Sequence, residues 1–173
     1  IDFIRMAADD PKVLAIKQTI YRTGDDSQVA QALINAAERG KEVTVLVELK
    51  ARGDEAANIE WAKSMEESGI HVVYGIMGLK IHCKLSMLVR RDQDRLRRYA
   101  HLGTGNYNHT TARFYTDLGL ITAEPAITTE VAEVFNLLTA HNRETYFEQL
   151  LVAPAGLMRG MLDRIERESE QAR

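Results

Sequence analysis

The sequence predicts an α/β domain built on a mixed, largely parallel sheet flanked by helices. Two observations lead there. Between residues 13 and 75, β-branched apolar runs alternate with amphipathic runs of helical period, and that order implies crossover connections between parallel neighbours covered on both faces. After Gly78 the pattern changes: "KIHCKLSMLVRR" and "LRRYAHLGTG" are strands joined by the polar turn "DQDR", which argues an antiparallel hairpin.

The elements follow in order. "VLAIKQTIYRTG" reads as a strand ending at Arg22 and broken by Gly24. "DDSQVAQALINAAERG" reads as a helix over 27–39, capped by Asp26 or Ser27, striped by Val29, Leu33 and Ala37, and stopped at Gly40. "EVTVLVEL" is a continuous apolar run, as expected of a strand buried on both faces. A second helix is expected over 54–68, from Asp54 to the stop at Gly69, with Ile59, Ala62 and Met65 inward; "IHVVYG" is a short strand after it. "DLGLITA" is a further strand before a helix over 127–141, whose stripe is Val131, Val134, Phe135 and Leu138. "APAGLMRGMLDRIERESEQ" closes the chain as a charged amphipathic helix suited to packing against something else.

The 173 residues, 45% hydrophobic and 27% charged, fit one domain able to bury a core. The formal net charge of −3 does not mark the whole surface for nucleic acid or anionic membrane, so any anion site must be local. Cys83 is the only cysteine, which excludes an internal disulfide and points to a reducing compartment. No apolar run reaches the roughly 18 residues a membrane span needs, and no signal peptide is evident. The chain opens on "IDFIRMAADD" without a methionine, and the expectation is a piece of a larger protein.

Chemistry concentrates in "GLKIHCKLSMLV". Strand alternation places Lys80, His82, Lys84 and Ser86 on one face and Ile81, Cys83, Leu85 and Met87 on the other. An imidazole between two ammonium groups is costly unless an anion sits there. Cys83 is turned away from His82 and is expected to behave as a small hydrophobe. Arg22 and Arg52 stand past the ends of the first two strands, where α/β sheets gather ligands, and their guanidinium forks suit a phosphate. In "HLGTGNYNHTTARFYTDLGL", Gly103 and Gly105 free the backbone, and Thr104, Asn106 and Asn108 supply short polar groups beside the strand of His82. His71, His101, His109 and His141 lack metal-ligand spacing.

"HCK" followed by "GTGN" resembles the HxK and GSxN elements of the phospholipase D superfamily, whose enzymes use a histidine as nucleophile toward phosphorus. The superfamily aspartate seven places after that histidine is here Val89. Over its whole length, through "ADDPKVLAIKQTIYRTG", "VELKARGDEAANIEWAKSMEESGIHVVYG", "GLKIHCKLSMLV" and "YAHLGTGNYNHTTARFYTDLGL", the chain resembles the first catalytic-core domain of the histidine-dependent polyphosphate kinases.

That resemblance implies a phospholipase D-like domain over residues 1–173 that is a fragment of a larger kinase. The implied activity is reversible transfer of the terminal phosphate of ATP to inorganic polyphosphate, through a phosphohistidine and with Mg2+; ATP and ADP are the nucleotide substrates. His82 matches the phosphorylated histidine, Arg22 and Arg52 the arginines of the magnesium–phosphate site, and Tyr115 a tyrosine contacting the nucleotide. Lys84 lies in the catalytic motif, Asn106 and Asn108 in the nucleotide-side motif. A second core domain would supply a further histidine and arginine, so the fragment alone is expected to be inactive, with an uncovered face that could self-associate. A cytoplasmic location, peripheral to the membrane at most, and no nucleic-acid partner are expected. Two alternatives stay open: a one-motif phosphodiesterase or nuclease completed by homodimerisation, and a polyanion-binding module without turnover.

Overall fold

The structure is a computed structural model that describes residues 1–22, 24, 27–49, 53, 55–76, 78–140 and 146–172. Among these, six strands form one sheet: β1 (Val13–Ile20), β2 (Glu42–Val47), β3 (His71–Tyr74), β4 (Lys84–Asp92), β5 (Arg95–Gly103) and β6 (Gly119–Thr122), in the order β3-β2-β1-β4-β5-β6. The helices are α1 (Asp2–Asp9), α2 (Gln28–Glu38), α3 (Glu55–Glu67), α4 (Pro125–Ala140) and α5 (Leu157–Gln171).

The sheet is mixed, as the change of pattern at Gly78 predicts. Its parallel share is smaller than expected. β1 pairs parallel with β2 and β2 with β3, whereas β1–β4, β4–β5 and β5–β6 are antiparallel. Parallel pairing is confined to the stretch where crossover helices separate the strands; β4 enters beside β1 in the opposite sense, and the turn at Gln93, which has a left-handed φ of 54°, joins β4 to β5 as a hairpin.

Alternation along the central strands feeds two cores. Ile16, Ile20, Val43, Val45, Val47 and Leu88 meet Ile4 and Ala7 of α1, Val29 and Leu33 of α2, and Ala62 and Met65 of α3. On the other face Leu46, Leu85, Met87 and Ala100 meet Val131, Val134 and Phe135 of α4. Ser27 caps α2, its Oγ accepting from Ala30 N at 3.2 Å. α4 starts earlier than expected, at Pro125, because proline is preorganised for a first helical position. The inward stripe of α3 is Asn58, Ala62 and Met65 rather than Ile59, Ala62 and Met65: Ile59 is exposed and the polar Asn58 is fully buried. α5 buries none of its residues. No helix of the described residues is long and apolar enough to cross a membrane.

Candidate functional site

β1 ends at Ile20, two residues short of the expected Arg22. Beyond it Tyr21 and Arg22 leave the ladder, and strand alternation no longer sends them to opposite faces. The exit is held from α3: Asn58 Nδ2 donates to the carbonyls of Tyr21 (2.9 Å) and Glu48 (3.0 Å), tying the ends of β1 and β2 together. That is why a polar residue occupies a core position on α3. Further on, Gly24 takes a left-handed φ of 70° and its carbonyl accepts from Trp61 Nε1 at 3.1 Å.

The second arm of the site precedes β4. The strand starts at Lys84, so Lys80 and His82 lie in the extended lead-in and not in the ladder that the alternation predicts from residue 80. Backbone pairing between β1 and β4 ends at Gln18–Ser86. From there the Thr19 hydroxyl takes over, accepting from Leu85 N (2.9 Å) and donating to Cys83 O (2.8 Å). The lead-in peels away from β1 at that point, and the buried Glu48 steadies it by accepting from Ile81 N at 2.8 Å.

His82 is exposed, whereas Lys84 is 5% exposed. Lys84 Nζ lies 3.1 Å from His82 Nε2 and also donates to the His82 carbonyl at 2.6 Å. An ammonium has no lone pair, so this contact requires an unprotonated Nε2 and puts the neutral ring's proton on Nδ1. Partial desolvation, and then the charges of Lys84, Lys80 and Arg22, hold the imidazole below the usual histidine range. Burial likewise lowers Lys84, with Cys83 and then Asp117 opposing the shift and Arg22 adding to it. The ring of Tyr21 stands against this group, edge-on to His82 with centroids 5.0 Å apart. Around the same ring sit Lys84 Nζ at 5.2 Å, Lys80 Nζ at 5.3 Å and Arg22 Cζ at 5.7 Å from the centroid.

The glycine-bearing loop begins beside Lys84, which is in register with Gly103. A Cβ on Gly105 would fall 2.2 Å from an oxygen of Asp117, so the missing side chain is what lets that carboxylate close over the loop and accept from Thr104 Oγ1 at 3.0 Å. Asn106 Oδ1 is buried without a hydrogen-bond partner among the described residues. Asn108 is buried; its Oδ1 accepts from Thr110 N and Thr111 N, capping the 3₁₀ turn Thr111–Arg113, and its amide packs on Gly24. Tyr115 projects into solvent, 70% exposed.

Arg22, His82 and Lys84, separated along the chain, therefore meet at one end of β1. Arg52, the other arginine read from the sequence, lies outside the described residues, as do Lys50 and His141. Asn106 and Asn108 border the group through their loop, and Tyr115 stands beyond it. Cys83 is partly buried among the α4-side core, and burial pushes its thiol up, in line with an inert residue. Val89 packs in that same core, on the face opposite Lys84, so an aspartate there would not reach His82. Sequence reasoning missed Tyr21, Asn58 and Asp117. No local pattern marks Tyr21 or Asp117; a lone asparagine inside an apolar helical stripe was the available signal for Asn58.

Residues 1–144 match the family model described as polyphosphate kinase C-terminal domain 1. The chain is 57% identical over 166 residues to a polyphosphate kinase of Mycolicibacterium gilvum, covering 96% of this chain and 23% of that protein. It is 56% identical over the same length to one from Mycobacterium tuberculosis, covering 22% of it. The chain therefore spans less than a quarter of the curated relatives it matches. The crystal structure of the polyphosphate kinase from Porphyromonas gingivalis superposes with a TM-score of 0.85 at 39% identity, over 98% of this chain and 28% of that one. NucT from Helicobacter pylori, at 11% identity and a TM-score of 0.56, covers 79% of this chain and 85% of its own, a likeness of fold alone.

Proposed function

Because the chain belongs to the polyphosphate kinase C-terminal domain 1 family, we propose that His82 carries the phosphoryl group between ATP and inorganic polyphosphate. The observation behind this reading is the His82–Lys84 contact: an exposed imidazole with its Nε2 lone pair directed into a cluster of three cations. As Lys84 Nζ turns from Nε2 to a non-bridging phosphate oxygen, the freed Nε2 lone pair attacks the terminal phosphorus of ATP, a nitrogen–phosphorus bond forms, and the bond to the bridging oxygen breaks to release ADP. A terminal oxygen of polyphosphate then attacks that phosphorus, and the bond to Nε2 breaks. The lowered basicity of the ring keeps it neutral at physiological pH, so it needs no separate base. Lys84, Lys80, Arg22 and, by its motif, Arg52 neutralise charge on the non-bridging oxygens, the main demand of phosphoryl transfer.

Among the described residues no cluster of three or more His, Cys, Asp or Glu side chains could hold a metal ion. Mg2+ is therefore proposed to arrive on the phosphate oxygens of the substrates, where it shields their charge; guanidinium groups cannot ligate it. Asn106, Asn108 and Tyr115 are assigned to the nucleotide side through their motif, with the exposed Tyr115 ring available for stacking on a base.

The site is one wall of a larger one. His82 faces solvent, and Phe114, Tyr115, Leu118, Leu120 and Ile121 crowd apolar surface beside the edge strand β6. Both fit a protein whose remaining length covers this side and supplies further catalytic groups. In the complete kinase, His82→Ala is expected to abolish acid-labile, alkali-stable label from ATP. Label that persists in that variant places the carrier elsewhere. The 173-residue chain with ATP, Mg2+ and polyphosphate should not sustain turnover near an ordinary enzyme rate of about 10 per second; if it does, the one-wall reading fails.

A further inference from the structure

The four contacts of the Tyr21 ring leave one residue without a role in the chemistry above, although it touches every group in the cluster. Three cationic side chains converge on a small volume, where like charges repel one another. Among them stands an aromatic ring, with all three cationic centres 5.2–5.7 Å from its centroid. That is the range over which a ring quadrupole attracts a cation. The same ring meets His82 nearly perpendicularly, at an interplanar angle of 79°. Tyr21 is itself anchored, since its carbonyl is held by the buried Asn58 on α3.

The geometry points to Tyr21 as the positioning residue of this wall: its ring gathers Lys80, Lys84 and Arg22 around the phosphate-binding space and fixes the orientation of the His82 imidazole. An aromatic ring suits the task because it offsets cation–cation repulsion without adding negative charge. A carboxylate in that place would repel the incoming phosphate and compete for the same donors; a ring holds the cations and leaves their outward N–H groups to the anion. All four contacts are made by the ring and not by the hydroxyl, so phenylalanine can carry them and leucine cannot. The inference deepens the phosphotransfer reading and rests on it for its purpose, but its test needs no turnover.

Among the described residues, the charged groups acting on His82 are Lys84, Lys80 and Arg22, with Asp117 acting on Lys84 from the loop before β6 and the Glu48 carboxylate held on the adjacent Ile81 N–H. The experiment compares Tyr21→Phe, Tyr21→Leu and Tyr21→Met in the 173-residue chain. The His82 ring is titrated by NMR, tripolyphosphate binding is followed by calorimetry, and folding is checked from the amide spectrum. Tyr21→Phe should leave both readouts within about twofold of the parent chain. Tyr21→Leu removes the ring that crowds His82 and holds the cations near it, so the titration midpoint should rise toward that of free histidine. Tripolyphosphate affinity should weaken by about fivefold, the scale of one partly exposed cation–ring contact. Tyr21→Met, which fills similar volume without a ring, should follow leucine and serves if leucine does not fold. A folded leucine or methionine chain with both readouts unchanged overturns the inference, as does a phenylalanine chain that behaves like leucine. Failure of His82 to take up phosphate in the complete kinase would sink the phosphohistidine reading while leaving these two readouts to judge Tyr21.

Discussion

Thr19 and Leu85 are joined by a hydrogen bond from the Leu85 N–H to the Thr19 hydroxyl at 2.9 Å, and the same hydroxyl donates to the carbonyl of Cys83. One side chain on β1 thus serves two backbone groups that bracket Lys84, where the ladder would otherwise end with them unpaired. Thr19→Val, nearly isosteric, strands both groups. It should cost about 2 kcal/mol in denaturant unfolding, and the His82 ring resonance should shift as its lead-in loosens. A valine variant of unchanged stability would show the hydroxyl to be dispensable.

Lys84→Met removes the ammonium at 3.1 Å from His82 Nε2 and keeps the aliphatic stem that is buried with it. With the nearest positive charge gone, the His82 titration midpoint should move up. In the complete kinase the rate of phosphohistidine formation should fall by about 100-fold, the usual cost of one transition-state donor. Rapid-quench labelling measures it; a loss below threefold would assign Lys84 to packing alone.

Gly119→Ala tests a tight place behind the site. A Cβ there would meet His101 Nε2 at 2.9 Å, and the ring occupies space that Gly103, in register with Gly119, also leaves open, since a Cβ on it would fall 3.0 Å from His101 Cε1. The ring cannot swing aside without breaking the 2.7 Å contact between His101 Nδ1 and the Tyr107 hydroxyl. The expected destabilisation is about 2 kcal/mol, within the range for overpacking. Gly105→Ala should cost less, because Asp117 can withdraw toward solvent. Equal melting temperatures for the two variants would contradict this ordering.

Acid should weaken the fold through its histidines. His101 lies below the usual range mainly through burial, and His82 through desolvation and its cationic neighbours. A base with a lowered folded pKa contributes stability that is present above the unfolded value of about 6.5 and lost as pH falls toward the folded one. The melting temperature should therefore drop between pH 7 and 5. His101→Gln should flatten that dependence, and an unaltered slope in the variant would rule His101 out as a source.

Much of this architecture was legible in the sequence for local reasons. The Ser27 cap, the periodic stripe of α2, the β-branched run of β2 and the polar turn after β4 each declare themselves within a dozen residues. α1 was not anticipated, because eight residues offer only Ile4, Ala7 and Ala8 for a buried side and its partner lies on α2. Alternation correctly put Lys84 and Cys83 on opposite faces, but it carried the strand two pairs too far back: nothing in "KIHC" announces that a threonine hydroxyl elsewhere ends the ladder. In the candidate site the titratable residues were readable by type and spacing. Tyr21 and Asp117 were not, since a ring among cations and a carboxylate over a glycine are relations that exist only after the sheet has closed.

The position of β1 at the junction of the parallel and antiparallel parts has a kinetic consequence. Its two partners lie far apart along the chain, and the Thr19–Leu85 link alone spans 66 positions. During synthesis the β1–β2–β3 unit with its helices emerges first, and β1 is then an uncovered edge. Only when β4 has left the ribosome can that edge be filled, and the same event brings His82 and Lys84 against Tyr21 and Arg22. Closing so long a segment is entropically slow. A chain interrupted before His82 would therefore hold Arg22 and Tyr21 ready on an open edge, with nothing yet able to accept a phosphate.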